Sequence, residues 1–131
     1  MEFAVILSLF LTMMFGVTEF GRLLWTREAL QETASVGARC MGMNSTSCAS
    51  AGAYSSAATQ TYVQGVASNW GVALTNANVT LNNNNTCAGI SSANGFSSVT
   101  INYTFQSVVP NLLNALSAGA AISTTACFPN N

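Results

Sequence analysis

The longest apolar run lies at the start of the chain. Phe3 to Thr18 (FAVILSLFLTMMFGVT) carries no charge, and Phe20 to Trp25 extends the apolar character with interruptions at Gly21 and Arg22. A bilayer-spanning helix needs about 20 apolar residues. Phe3 to Trp25 reaches that length if Glu19 and Arg22 are tolerated. These two are three positions apart and can meet on one helix face; near the outer interface, snorkelling lowers their cost. No proline occurs before Pro110. The pattern therefore predicts one helix continuing through LLWTREALQETASVGAR to about Arg39, roughly 57 Å long at 1.5 Å per residue. That exceeds a bilayer, so the outer half needs a protein partner. Leu23, Leu30, Ala34 and Gly37 fall at helical spacing and supply a stripe for it.

The pattern changes after Arg39. Asn44 to Ala51 reads as a turn, and Ala-rich Ser50 to Trp70 as a second helix stopped by Gly71. Ala77, Val79 and Leu81 alternate with polar residues, as do Val99, Ile101, Tyr103 and Phe105, which predicts two strands. The Asn/Ser/Gly-rich segment between them, Asn82 to Gly95, reads as a long loop. Pro110 opens a short helical connection ending near Gly119, and Ile122 to Cys127 forms a last strand. The expected fold class is α+β: a long N-terminal helix packed on a small antiparallel sheet, with a second, shorter helix. The organisation is residues 1–39 as a transmembrane or filament-core helix and residues 40–131 as an exported, uncharged globular domain.

Charge sharpens this division. Glu2, Glu19, Arg22, Arg27, Glu28, Glu32 and Arg39 are all the charged residues, and 40–131 contains none. Only 5% of residues are charged, against roughly 25% in ordinary globular proteins. The net charge of −1 gives no electrostatic basis for binding nucleic acid. Low-complexity polar sequence usually signals disorder, but that class lacks hydrophobic residues. With 50% hydrophobic residues, a folded domain is expected. A secretory signal peptide would open with a basic stretch and end at a cleavage site; nothing basic precedes this run. A plain anchor would carry flanking Lys or Arg on the cytoplasmic side. Removal of a short basic leader, with Met1 as the mature terminus, reconciles the pattern.

Cys40, Cys48, Cys87 and Cys127 all lie beyond the apolar run. Without a histidine or a C-x-x-C pair, zinc is disfavoured, and an even number in an exported region favours two disulfides. Three connectivities are open; Cys40–Cys48 with Cys87–Cys127 is the preferred one. No triad or metal site is expected without histidine, and the four carboxylates sit on or beside the anchor helix rather than in a cleft. The chain reads as a non-enzyme without a cofactor or metal. Asn44, Asn78, Asn84 and Asn102 begin N-x-S/T sequons and are candidate glycosylation sites, although such triplets arise easily in Asn/Thr-rich sequence. A neutral hydrogen-bonding surface is the plainer role, and it lets identical subunits pack without like-charge repulsion. Phe3, Phe10, Phe15, Phe20 and Trp25 rotate around the helix instead of stacking on one face, so they read as packing residues.

Glu2 is the residue singled out for assembly. Its plainer role is to complement the helix N-terminal dipole. Its functional role is to pair with the free α-amine of Met1 on a neighbouring subunit, which neutralises two buried charges and sets axial register, with Phe3 beside it.

The opening Glu2-Phe3, the apolar run, Glu19-Phe20-Gly21-Arg22 and the helix ending in Gly37-Ala38-Arg39 resemble the N-terminus of TadE-like pilins and pseudopilins of the tight-adherence, type IV pilus-related systems. SSVTINYTF at 97–105, then VVPNLLNAL and AISTTACF, resemble the family's paired strands, Pro-containing connection and final strand. Glu2 follows a single residue, whereas type IV pilins usually carry the acid a few residues into the mature chain. The resemblance implies leader cleavage by a prepilin peptidase, residence in the inner membrane, and extraction by pilus assembly machinery into an extracellular filament. The expected function is therefore a structural pilin subunit, forming a helical homopolymer of identical subunits on the cell surface for adhesion. The alternatives are a minor pseudopilin that primes assembly, and a membrane-anchored module whose Asn82–Gly95 loop binds glycans.

Overall fold

The structure, a computed structural model, describes residues 2–108 and 121–131. The first helix, α1, spans Glu2–Gly42, about 62 Å at 1.5 Å per residue. It ends three residues beyond the expected Arg39 because its stop signal is Asn44. That residue takes a left-handed φ of 47°. The Asn44 N–H then donates to the Met41 carbonyl and the Ser45 N–H to the Cys40 carbonyl, the paired bonds that close a helix C-terminus.

A two-stranded hairpin follows, β1 (Ala49–Ser50) with β2 (Ala53–Tyr54). Its turn residues, Ala51 and Gly52, both have positive φ, the conformation that suits tight two-residue hairpins. The second helix, α2, therefore runs Ser56–Asn69, not from Ser50 as the alanine content implied. Ser55 caps its N-terminus, with the Ala58 N–H donating to the Ser55 hydroxyl. Gly71 ends it as expected, at φ 80°, with the Gly71 and Val72 N–H groups returning to the Ser68 and Ala67 carbonyls.

The main sheet has the order β3-β4-β5, all antiparallel: β3 Val79–Asn85, β4 Phe96–Thr104 and β5 Ala121–Pro129. Asn82–Asn85 belong to β3 and not to the expected loop. The pairing shifts register between Asn82 and Asn85. The Asn83 side chain accepts from the Ser97 hydroxyl at 2.7 Å. The amide of Asn130 donates to the Asn83 carbonyl at 2.8 Å. Asparagine is a poor strand former; here tertiary hydrogen bonds from the chain terminus hold it in the ladder. The expected connection from Pro110 to Gly119 lies outside the described residues.

The core forms where the outer half of α1 meets the sheet and α2. Leu30, Ala34, Ala38 and Met41 from α1 are buried with Val63 and Ala67 of α2 and Val99 and Ile101 of β4. Of the expected stripe, Leu30, Ala34 and Gly37 are buried and Leu23 is half-buried. Gly37 marks the closest approach: a Cβ there would lie 2.7 Å from Val63 Cγ2 and 3.4 Å from Val99 Cγ2. Neither neighbour has room to retreat in a close-packed interior. Gly37→Leu is expected to destabilise the folded domain by about 1–3 kcal/mol, the usual range for overpacking, measured by urea denaturation of the detergent-solubilised chain.

Candidate assembly surface

The two halves of α1 have opposite environments. In the first half the side chains are bare around the whole circumference. Phe3 is 76% exposed and Leu9 75%, and Val5, Ile6, Phe10, Met13, Met14, Phe15 and Val17 are exposed too. This is a helix long and apolar enough to cross a membrane. Its few polar side chains are satisfied internally: the hydroxyls of Ser8, Thr12 and Thr18 donate to the carbonyls of Val5, Ser8 and Met14. Such back-bonding is how hydroxyls are accommodated where water is absent. Covering these nine large apolar side chains at about 1.5–3 kcal/mol each amounts to some ~14–27 kcal/mol relative to water. A surface of that size requires a covering, by lipid or by protein.

Glu19 marks the boundary between the halves. It was expected at a membrane interface beside Arg22, and the pair does form, with the Arg22 guanidinium 3.0 Å from Glu19 Oε1. Yet Glu19 is only 4% exposed, because the segment leaving β4 folds over it. The Val108 N–H donates to Glu19 Oε1 at 3.2 Å and the Ser107 hydroxyl to Oε2 at 3.4 Å. Arg22, about half exposed, lies 5.5 Å from the centre of the buried Phe105 ring, within the range of a cation–π contact. One carboxylate thus ties the end of β4 to α1 at the point where the bare helix begins. Nothing local in the sequence signals this, since the partners are 88 and 89 residues away. Glu19→Leu removes the acceptor and leaves a partly buried N–H and a guanidinium without it. A loss of about 1–3 kcal/mol is expected, with faster proteolysis of the segment around Val108 as the specific readout.

Beyond Glu19, Trp25 of α1 meets Trp70 at the end of α2 edge-to-face, with centroids 5.7 Å apart and planes at 62°. The two disulfides join Cys40 to Cys48 across the end of α1, with Cα atoms 5.9 Å apart, and Cys87 to Cys127 of β5, with Cα atoms 6.4 Å apart. Among the described residues, no three His, Cys, Asp or Glu side chains gather as a metal site.

The remaining sequence candidates are dispersed. Met1 and the side chain of Glu2 lie outside the described structure, and α1 begins at Glu2. Asn44 is exposed in the turn after α1. Asn78 is half-buried and engaged: its amide donates to the Asn102 carbonyl, and its Oδ1 accepts from the backbone and hydroxyl of Thr75. Asn84 on β3 and Asn102 on β4 are exposed. Asn78 and Asn102 therefore lie side by side where β3 begins, Asn44 and Asn84 stand elsewhere, and Asn78 is the least available of the four.

No curated protein and no solved structure significantly matches the chain. A family model does, over the segment that holds the bare helix, the Glu19–Arg22 pair and the start of the docked half. Over residues 1–39 the chain is similar to the family model described as TadE-like protein.

Proposed function

We propose that this chain is a structural pilin subunit that polymerises through α1 into an extracellular Tad-type filament serving surface attachment. The observation that carries this reading is the all-round exposure of the apolar residues from Phe3 to Val17. Lipid covers them while the subunit resides in the inner membrane, and the same segments of neighbouring copies cover them in the polymer. The uncharged domain forms the sheath, where neutral surfaces approach without like-charge repulsion. Assembly needs no catalysis by this chain; a prepilin peptidase would process it and the pilus machinery would extract it. The fold and the TadE-like N-terminus support this reading together.

Copy number separates a major subunit from a minor priming pseudopilin. Filaments sheared from cells that carry the assembly system are probed with antibody against residues 40–131. Continuous labelling along the filament is expected. Labelling confined to the tip would assign the chain to the priming role, and its absence would remove it from the filament.

A further inference from the structure

The exposed ridge on the outer half of α1 is flanked by two grooves of opposite character. The groove on the α2 side is lined by Trp25, Glu28, Glu32, Ser35 and Trp70. The groove on the β5 side is lined by Phe20, Leu24, Arg27 and Ile122. Among the described residues, Glu19–Arg22 is the one ion pair, and Glu28, Glu32, Arg27 and Arg39 have no ionic partner there. All four are exposed.

We propose that these flanks are two halves of one contact, with Arg27 of one copy entering the Trp25/Glu28/Glu32/Trp70 groove of the next. This rests on the filament reading above and specifies how adjacent subunits register side by side. The occupant follows from charge. Residues 40–131 carry none, so the cationic side chains of a homopolymer are Arg22, Arg27 and Arg39, and Arg22 is already held by Glu19. Arg27 and Arg39 differ in where they stand on the helix. At about 100° per residue, Arg39 falls on the same face as Glu28 and Glu32, whereas Arg27 stands roughly 100–140° around from them. A patch that binds its own face closes a two-fold pair. Patches on different faces give a head-to-tail contact, the kind that extends as an open filament when its rotation does not close a ring. The groove also suits a guanidinium chemically: two carboxylates at i and i+4 accept its N–H donors, and tryptophan faces favour a flat cation.

Charge reversal in the full-length chain, expressed with its assembly system, tests this. Arg27→Glu alone, and Glu28→Arg with Glu32→Arg, are each expected to lower the sheared-filament yield at least ten-fold. All three substitutions together are expected to restore it to within three-fold of the parent. A second measurement does not depend on rescue. In the Arg27→Cys/Glu32→Cys variant, oxidation of the assembled material is expected to give a ladder of dimers, trimers and longer species on denaturing gels. Single reversals that leave the yield within two-fold of the parent, a ladder that stops at dimers, or cross-links to a different protein would each overturn the contact. If the parent forms filaments and no ladder appears, the subunit reading stands and this contact does not. If the parent forms no filaments, both fall.

Discussion

Glu2→Ala leaves the chain inserted in the membrane and cuts the recovery of sheared filaments by ten-fold or more. An acid at the head of an apolar helix is unfavourable in lipid, by up to about 2.5–3.5 kcal/mol when placed centrally and less near an interface. Removing it does not weaken insertion. In the proposed filament it pairs with the α-amine of a neighbouring Met1. Removing one partner of a buried ion pair costs about 3–5 kcal/mol, since the other charge is left unpaired. At 1.4 kcal/mol per factor of ten, even the lower figure weakens each subunit addition about a hundred-fold. Glu2→Gln, which keeps the shape and hydrogen-bonding capacity, is expected to fall between the parent and the alanine variant. Membrane fractionation and filament recovery, measured on the same cultures, check both halves of the expectation. Normal filaments from Glu2→Ala would remove the register role.

The second large effect concerns the Cys87–Cys127 bond. It joins residues 40 apart in sequence and ties the segment after β3 to β5, at the far side of the sheet from β3 itself. Closing a loop of that length restricts the unfolded chain by about 4 kcal/mol on the chain-entropy account. The Cys40–Cys48 bond spans 8 residues and by the same account contributes about 2.5 kcal/mol. Replacing Cys87 and Cys127 with serine is therefore expected to lower the stability of the domain by about 3–4 kcal/mol, and more than the matching change at Cys40 and Cys48. Denaturant midpoints of the two variants under oxidising conditions provide the comparison. The apolar half of α1 makes no contact with either bond, so its membrane insertion is expected to be unchanged. A single early loss of protease resistance in 40–131 on adding reductant is the corresponding kinetic sign.

Long-period signals were the legible part of this sequence. The apolar run, the proline-free continuation and the Leu30–Ala34–Gly37 stripe foretold α1 and its docked face, because burial follows helical spacing. Alternation at Val99, Ile101 and Tyr103 foretold β4, and Gly71 the end of α2. Composition misled where tertiary bonds override propensity. Alanines at 51 and 53 read as helix, yet a left-handed Ala51-Gly52 turn makes a hairpin of them. Asn82–Asn85 read as loop, yet hydrogen bonds from Ser97 and Asn130 hold the strand. At the assembly surface, the bare helix and the Glu19–Arg22 pair were legible from spacing alone. The burial of Glu19 was not, because it depends on Ser107 and Val108 arriving from the far end of the chain. The opposed grooves were not legible either, since Trp70 and Ile122 reach α1 only through the fold.

In the proposed assembly an apolar rod exchanges acyl chains for copies of itself. Electron cryo-microscopy of sheared surface filaments, with mass spectrometry of their subunit, tests it most directly. The expected result is a helical polymer of this chain in which residues 3–18 of each copy are buried against the same segments of its neighbours, with 40–131 outermost. Filaments that lack the chain, while the full-length protein stays a solitary resident of the membrane, would contradict it.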